Sequence, residues 1–375
     1  MAENPLKKIG SLGQSVWLDQ LSRSLISSGE LERMIVEDDV RGVTSNPSIF
    51  EKAIRSDEAY ASEFRELFSI YEDDFRVYEA LVLPDIRSAC DVFSAVYESS
   101  GGADGYVSLE VDPRLAHDAE ATVEEARRLW NEVDRPNLMI KVPATIEGLT
   151  AIESLLGEGI NVNVTLIFSD QVYRKVIDAV LAGVRTFYGE KGKGSPPASV
   201  ASFFVSRIDT AVDAELEKRL TEGEVAEDLR EYLGKAAIAN AGRAYNTFRK
   251  RFDAETRAAL NGWVQRPLWA STSTKNPAYS DVLYLEELIG PETVNTVPPG
   301  TLEAFRDHGR PEARLERNAR EAEAVLARLR DAEIDLDAVT DRLAREGVAA
   351  FQRSLDGLLT FLGEKRREHR EWMNG

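Results

Sequence analysis

Short apolar runs alternate with longer amphipathic segments along most of this 375-residue chain. Runs of this kind, bounded by glycine, proline or polar residues, are typical of buried strands, whereas apolar residues at helical spacing indicate amphipathic helices. Segments 120–133 and 171–188 show the helical spacing. The pattern predicts eight strands, at residues 16–19, 42–45, 105–110, 138–141, 161–165, 201–206, 267–271 and 293–297.

The alternation of strands with helices predicts the fold class. Strands separated by helical crossovers are usually parallel, and eight such units favour a closed (β/α)8 TIM barrel of the α/β class. A doubly wound sheet is the alternative, but it usually carries a glycine-rich turn after its first strand. The sequence after Asp19 is Gln-Leu-Ser-Arg-Ser, which has no glycine.

Two regions lie outside a minimal barrel, and a third resembles a phosphate-binding loop only superficially. We expect one barrel domain over residues 1–375, with a helical insertion at about 209–255 and further C-terminal helices at about 311–373. These additions are interpreted as packing layers or oligomer surfaces. Residues 189–197 read as a solvated loop, because their Gly-Lys-Gly lacks the spacing of a phosphate-binding loop.

Composition and charge exclude several classes of function. The chain is 43% hydrophobic, which is ample for a large core, and its formal net charge is −19. So acidic a protein is a poor general binder of nucleic acid or anionic membranes. Any phosphate that it recognises must therefore meet a local basic or amide-lined site, and we expect no nucleic-acid or membrane partner.

Few residues are available for disulfides or metal sites. Cys90 is the sole cysteine, so no intrachain disulfide can form, and its helical context favours a buried structural thiol. His117, His308 and His369 are scattered without metal-ligand spacing. The N-terminus shows no secretory pattern and no apolar run approaches membrane-spanning length. These features predict a cytoplasmic protein without a metal.

Lys141 is the most informative residue, because it ends the apolar run Asn-Leu-Met-Ile-Lys. A lysine at the end of a buried strand is costly unless its charge is paired or it is held as the neutral amine. A neutral amine can attack a carbonyl and form a Schiff base. The ordinary alternative is a lysine that reaches solvent or pairs with a carboxylate.

Polar residues recur at the carboxyl ends of the other predicted strands, where barrel enzymes build their active sites. Each has an ordinary alternative when taken alone. Asp19 could cap a helix, Asn46 could shape a turn before a proline, and Glu110 could pair with Arg114. Asn163 could be a satisfied core amide. The full set is Asp19, Thr44, Asn46, Glu110, Lys141, Asn163, Thr165, Ser202, Phe204, Arg207, Ser271 and Lys275.

Their coincidence favours a catalytic pocket. Two carboxylates, a lysine, two amides and several hydroxyls would meet at one end of the barrel, and buried polar groups need partners. Such a set suits proton transfers around a Schiff base.

Four motifs resemble the transaldolase family. They are Gly-Val-Thr-Ser-Asn-Pro-Ser-Ile-Phe at 42–50, Leu-Met-Ile-Lys-Val-Pro-Ala-Thr at 138–145 followed by Glu147-Gly148, residues 159–169, and Phe-Val-Ser-Arg-Ile-Asp at 204–209. They follow the family's order and span the barrel from Trp17 to about Val297. The chain length and helical tail are similar to the longer bacterial members.

The resemblance implies a (β/α)8 barrel that moves a dihydroxyacetone unit between sugar phosphates without a cofactor or a metal. Lys141 would be the Schiff-base lysine, and Asp19 the acid/base at the hydroxyl whose deprotonation breaks the carbon–carbon bond. Glu110 and Thr165 would handle the water that is lost and regained during imine formation. The donor would be sedoheptulose 7-phosphate or fructose 6-phosphate, in the non-oxidative pentose phosphate pathway.

The same resemblance implies the substrate contacts. Asn46, Asn163 and Ser202 would hold the hydroxyls, and Arg207 would bind the phosphate. The family often has a second phosphate-binding arginine after its seventh strand, but this chain has Lys275 there, a point charge rather than a planar fork. The remaining substrate-site residues would be Thr44, Phe204 and Ser271.

Two other functions stay open from the sequence. A related aldolase would release the fragment to water, but such aldolases tend to carry tyrosine where this chain has Phe204 and glutamine where it has Glu110. A non-catalytic sugar-phosphate-binding barrel would have no reason to keep Asp19, Glu110 and Lys141 buried. Either a monomer or a homodimer is compatible with the sequence.

Overall fold

Eight parallel strands close into a barrel in the order of the chain. The computed structural model describes residues 4–191, 195–223 and 226–374. The predicted (β/α)8 barrel is confirmed, and the doubly wound alternative is wrong. The strands are β1 Gln14–Leu18, β2 Val40–Thr44, β3 Tyr106–Glu110, β4 Leu138–Pro143, β5 Val162–Ile167, β6 Ser199–Phe204, β7 Arg266–Ala270 and β8 Thr293–Val297.

Helices surround the barrel and extend beyond it. Two short 3₁₀ helices span Pro113–Leu115 and Glu227–Tyr232. The α-helices are α1 Pro5–Ser11, α2 Arg23–Ser27, α3 Glu30–Asp38, α4 Pro47–Ser56, α5 Glu58–Ala61, α6 Phe64–Ile70, α7 Asp74–Val92, α8 Ser94–Ser99, α9 Ala119–Val133, α10 Ile146–Glu158, α11 Asp170–Lys191, α12 Ser206–Glu222, α13 Ala236–Arg251, α14 Ala254–Ala259, α15 Leu283–Glu287, α16 Pro299–His308, α17 Leu315–Asp331 and α18 Leu336–Asn374.

Some predicted boundaries moved by a few residues. Strand β4 continues past Lys141, because Pro143 still pairs with Thr165 of β5. The sixth strand ends at Phe204, and Ser206 begins α12 instead of ending the strand. Part of the predicted loop at 189–197 belongs to α11, which runs to Lys191, and residues 192–194 lie outside the described part of the chain.

The barrel interior is filled by large side chains near its amino-terminal end. Trp17 is fully buried, and a Cβ added at Gly42 would lie 2.8 Å from its indole ring. Glycine on β2 therefore makes room for a tryptophan on β1, because real Cβ atoms do not approach so closely. The Trp17 side chain thus fills the barrel interior below the carboxyl end of the strands, the end at which barrel enzymes build their sites.

Strand register determines which polar residues are neighbours. Glu110 of β3 lies opposite Lys141 of β4, which in turn lies opposite Asn163 of β5. Residues opposite one another on paired strands project to the same face of a sheet. The register therefore aligns a carboxylate, an amine and an amide along one rim of the barrel.

The predicted helical additions are present, although the division into domains stays a prediction. Helices α12, α13 and α14 lie between β6 and β7, and α17 and α18 follow the last strand. Cys90 is buried in α7, as expected for a structural thiol. Within the described residues, no helix is both long enough and apolar enough to cross a membrane.

Candidate active site

Lys141 lies at the centre of the carboxyl end and is almost fully buried, with 4% of its surface exposed. Its Nζ donates a hydrogen bond to the carbonyl oxygen of Ser45 at 3.1 Å and stands 3.5 Å from Oε2 of Glu110. The ring centroid of Phe351 lies 5.6 Å from the same nitrogen. The amine is thus enclosed by a carboxylate, a carbonyl and an aromatic face, and it has few competing partners.

Glu110 is the buried carboxylate beside the lysine. Loss of hydration raises the pKa of its carboxyl to about 7, although the positive charge of Lys141 opposes this shift. The alternative partner considered from the sequence is wrong, because Arg114 pairs with Asp112 at 2.6 Å. A carboxyl that titrates near neutral pH can both donate and accept a proton, as an acid/base group requires.

Asp19 follows β1 and is joined to two threonines. Thr44 Oγ1 donates to Oδ1 of Asp19 at 2.7 Å, and the hydroxyls of Thr44 and Thr296 are 2.5 Å apart. Because Thr44 gives its proton to the carboxylate, it accepts that of Thr296. Loss of hydration also raises the pKa of Asp19, with Lys141 acting in the opposite direction. The helix-cap alternative is wrong, since the hydroxyl of Ser22 caps α2.

Asn163 lies on β5, and its side-chain amide forms one hydrogen bond at each end. Its Nδ2 donates to Ser108 Oγ at 2.9 Å, and its Oδ1 accepts from Ser202 Oγ at 2.7 Å. These bonds keep the amide in one orientation. Thr165, two residues along the same strand, has a buried Oγ1 with no hydrogen-bond partner in the described part of the protein. Such an unpaired hydroxyl costs stability and is available to a bound molecule.

Arg207, the residue expected to bind the substrate phosphate, lies in the first turn of α12. Its guanidinium carbon lies 5.3 Å from the ring centroid of Phe204, in cation–π geometry. Burial lowers the pKa of the guanidinium. No carboxylate within residues 4–191, 195–223 and 226–374 forms a salt bridge with it, so its donors can meet an anion.

Three of the expected site residues have other partners in the structure. The side chain of Asn46 caps α4 by accepting from the Ile49 amide at 3.0 Å. The Ser271 hydroxyl lies 3.0 Å from that of Ser206. Lys275 is exposed, and its Nζ donates to Ser273 Oγ at 2.6 Å. Roles for these residues in binding substrate stay predictions.

Comparison with known proteins agrees with this arrangement. The model of the transaldolase/fructose-6-phosphate aldolase family matches residues 16–362. The chain belongs to this family. It is 49% identical to a transaldolase of Thiobacillus denitrificans, over 96% of this chain and all of that protein. It is 45% identical to transaldolase 2 of a Nostoc species, over 97% of this chain and 98% of that protein.

A third similar protein is a transaldolase of Frankia alni, 46% identical over 96% of this chain and 97% of that protein. A family match across the barrel, together with transaldolase relatives of the same length, makes this protein an enzyme of the transferase class. The family resemblance predicted from four sequence motifs is therefore confirmed.

Three residues around the family site were missed by the sequence reasoning. Thr296 extends the hydrogen-bond chain from Asp19, Ser108 orients Asn163, and Phe351 faces Lys141. Thr296 had a usable signal, since it is a polar residue one position before the end of a predicted strand. Phe351 had none, because nothing local places a helix 210 residues downstream against Lys141.

The side chains that could bind a metal are dispersed. In the part of the chain that the structure describes, no three His, Cys, Asp or Glu side chains are placed to hold a metal ion. The site of this transaldolase-family enzyme instead combines a buried amine with two carboxyls of raised pKa. Covalent capture of a carbonyl with proton transfers on either side of it is the chemistry that such a set suits.

Proposed function

We propose that this protein is a transaldolase. It takes a dihydroxyacetone unit from sedoheptulose 7-phosphate or fructose 6-phosphate and passes it to glyceraldehyde 3-phosphate or erythrose 4-phosphate, within the non-oxidative pentose phosphate pathway. The observation that carries the proposal is the buried amine of Lys141, placed between the register neighbours Glu110 and Asn163.

The first step is formation of the imine. The neutral amine of Lys141 attacks the ketose carbonyl carbon, and the carbinolamine loses its hydroxyl as water. Glu110 protonates that leaving hydroxyl, a role supported by its pKa near 7 and by its position 3.5 Å from Nζ. The unpaired hydroxyl of Thr165 positions the water.

Asp19 then performs the carbon–carbon cleavage. Its carboxylate takes the proton of the donor's C4 hydroxyl, the C3–C4 bond breaks, and the electron pair moves into the iminium to give an enamine. The departing aldose is replaced by the acceptor, whose carbonyl carbon is attacked by the enamine. Asp19 returns its proton to the new alkoxide, and water hydrolyses the product imine.

The phosphate and hydroxyl contacts complete the proposal. Arg207, which forms no salt bridge with a described residue, binds the substrate phosphate, and Lys275 adds a second positive charge. Asn163, Ser202 and Asn46 hold the hydroxyls of the three-carbon unit. Thr44, Phe204 and Ser271 line the same site.

The alternative function is a fructose-6-phosphate aldolase-like lyase, which the family name includes. Phe204 offers no hydroxyl to protonate the enamine, and Glu110 is a carboxylic acid rather than an amide, so both residues favour transfer. A coupled assay with fructose 6-phosphate, with and without erythrose 4-phosphate, separates the two. Turnover that requires the acceptor supports transfer, whereas equal turnover without it supports the lyase.

Borohydride reduction tests the roles of the three ionisable residues. With fructose 6-phosphate, the parent protein should gain a reduced three-carbon adduct on Lys141. Asp19→Ala should accumulate the intact-ketose adduct, because cleavage is blocked, and Glu110→Ala should form any adduct slowly. General acid–base groups contribute about 10²–10⁴-fold in rate, so the differences should be large in a mass-spectrometric time course. Labelling elsewhere with Lys141 unmodified would contradict the proposal.

Independence from cofactors and metals is a further part of the proposal. Activity should survive dialysis against EDTA, and restoration by a divalent ion after a loss would contradict it. The cytoplasmic location, the monomeric or homodimeric state and the lack of a nucleic-acid partner stay predictions from the sequence.

A further inference from the structure

The C-terminal helix α18 crosses the carboxyl end of the barrel. Its Gln352 donates to the carbonyl oxygen of Pro113, which follows β3, at 3.1 Å. Two residues on, the hydroxyls of Ser354 and Ser48 are 2.7 Å apart, and Ser48 belongs to the helix that follows β2. A helix attached to the segments after two neighbouring strands covers the mouth between them.

The helix approaches β5 closely at Gly347. A Cβ added there would lie 2.9 Å from Cδ2 of Leu166, so a larger residue would require the end of the leucine side chain to shift. Leu166 has a φ of 59°, at a register irregularity between Val164 and Ile167 of β5. A left-handed leucine is strained by about 1–2 kcal/mol, and such strain concentrates at functional sites. The irregular strand and the glycine together set how near α18 lies to the site.

Phe351 is the side chain that α18 directs towards the reactive amine. It is one turn after Gly347, is 3% exposed, and its ring centroid is 5.6 Å from Lys141 Nζ. The ring is apolar and cannot donate a proton to the bound fragment. It occupies volume beside the nitrogen that solvent would otherwise fill.

We infer that Phe351 determines whether the three-carbon enamine is transferred or released. The inference rests on the proposed function, because it needs an enamine on Lys141. Transfer forms a carbon–carbon bond between the enamine carbon and the acceptor carbonyl. Release begins when that carbon takes a proton from water instead. Water then adds to the iminium carbon, the carbon–nitrogen bond breaks, and free dihydroxyacetone and the lysine amine result.

A site that excludes water suppresses such proton leakage from a reactive intermediate. Phe351 supplies this exclusion next to the nitrogen, and it acts on specificity rather than as an acid or base. The residue comes from the tail and not from a barrel strand. The tail therefore contributes to the choice between transferase and lyase chemistry.

Phe351→Ala, with Leu358→Ala as its control, tests the inference. Leu358 is fully buried on the same helix, two turns further on, so its truncation also weakens packing of α18. The measured quantity is acceptor-independent cleavage of fructose 6-phosphate divided by acceptor-dependent transfer. We expect the ratio to rise at least tenfold, equivalent to about 1.4 kcal/mol, in Phe351→Ala and to change less than about twofold in Leu358→Ala.

A second readout follows solvent protons directly. Dihydroxyacetone incubated with the enzyme in D₂O exchanges hydrogen at the enamine carbon, and NMR reports the rate. We expect Phe351→Ala to exchange about tenfold faster than the parent. Phe351→Leu keeps most of the apolar bulk and should stay within about threefold of the parent in both measurements. If the alanine variant does not fold, Phe351→Val takes its place.

Three outcomes would overturn the inference. The first is an unchanged ratio of cleavage to transfer in Phe351→Ala. The second and third are a rise in that ratio, equal to the rise in Phe351→Ala, in Leu358→Ala or in Phe351→Leu. Borohydride labelling of the parent at Lys141 keeps the two hypotheses apart. If that labelling fails, the proposed function fails; if it succeeds and the ratio does not move, only the role of Phe351 fails.

Discussion

The two ends of the barrel handle buried charge in opposite ways. At the amino-terminal end, Asp104 accepts from the Trp17 indole at 3.1 Å, the Ser15 hydroxyl at 2.7 Å and the Arg266 guanidinium at 2.8 Å. Both of its carboxylate oxygens are used. At the carboxyl end, Oε2 of Glu110 has the Lys141 amine at 3.5 Å but no hydrogen-bond partner in the described part of the chain, and Oγ1 of Thr165 has no such partner either.

The polar groups at the amino-terminal end are therefore suited to stabilising the fold, and those at the carboxyl end are suited to exchanging protons. A buried carboxylate paired with a guanidinium and two neutral donors is satisfied in the folded state and can be removed only at a large cost. Among the described residues, buried side-chain oxygens without a hydrogen-bond partner occur at both ends, since Gln14 and Gln265 carry them at the amino-terminal end, but only at the carboxyl end do they lie on or beside a carboxyl with a pKa near 7. Strands β1 and β3, with the residues next to them, therefore supply side chains both to the Asp104 cluster at one end and to the candidate site at the other.

Removing the amine at the carboxyl end should have the largest effect on activity. Lys141→Met keeps most of the apolar side chain but cannot form an imine, so kcat should fall by at least about 10⁴-fold, within the range known for covalent nucleophiles. The free energy of unfolding should change by less than about 1 kcal/mol, because Glu110, when it loses its amine neighbour, can take up a proton instead of staying buried as an unpaired charge. Lys275→Met, at the exposed lysine, should retain most of the activity, and equal losses in both variants would contradict the assignment.

Removing the carboxylate at the amino-terminal end should produce the converse result. Asp104→Ala removes the carboxylate that pairs with Arg266 and accepts from the Trp17 indole, so the free energy of unfolding should fall by about 3–5 kcal/mol, even though Arg266 keeps its bonds to Ser15 and Ala103. The kcat of the folded fraction should stay within about threefold of the parent. Chemical denaturation measures the loss. Asp91→Ala, which breaks an exposed pair with Arg135, should cost less than about 1 kcal/mol.

A third carboxylate tests what a cation contributes to such sites. Asp209 is buried and accepts from the Ala237 amide at 2.7 Å and the Tyr284 hydroxyl at 2.8 Å, both neutral donors. Burial raises its pKa to about 7. The folded protein therefore binds more protons than the unfolded chain between pH 3.8 and about 7, and its stability falls as pH rises through this window.

Asp209→Asn should remove the contribution of Asp209 to this slope and leave that of Glu110, whose pKa is also about 7. Each unit of pKa shift corresponds to about 1.4 kcal/mol, so the stability difference between the variant and the parent should change by up to about 4 kcal/mol between pH 4 and pH 8. Unfolding in denaturant across that range measures it. Asp91→Asn, at an exposed site, controls for the loss of one charge. A slope unchanged in Asp209→Asn would show that Asp209 does not titrate in this window.

The smallest expected effect concerns the phosphate side of the carboxyl end. Arg207→Ala removes a charge-assisted contact of about 1.5–3 kcal/mol, so KM for phosphorylated sugars should rise roughly ten- to a hundredfold. Exchange of unphosphorylated dihydroxyacetone should be nearly unaffected. Lys275→Ala should raise KM less, because an exposed ammonium is a weaker anion ligand than a half-buried guanidinium. An equal effect of Arg207→Ala on both substrates would remove Arg207 from this role.

Much of the fold and many of the candidate site residues followed from local patterns. Each strand was visible as an apolar run, and polar residues at strand ends pointed to Asp19, Glu110 and Lys141 because parallel strands bring their carboxyl ends to one face. The ordinary alternative for Glu110, a pair with Arg114, was wrong. Residues four apart in the chain can meet on a helix. Here, however, Glu110 is the last residue of β3, and Arg114 forms a salt bridge with Asp112.

The sequence by itself determined the number of strands, their order and the face on which each polar residue lies, because these depend on periods of two or 3.6 residues. Only the tertiary structure decided which of those residues meet. Barrel closure places Thr296 of β8 beside Thr44 of β2, and the crossing of α18 brings Phe351 to Lys141. Such contacts depend on register, barrel closure and helix packing across long stretches of chain, which no local period encodes.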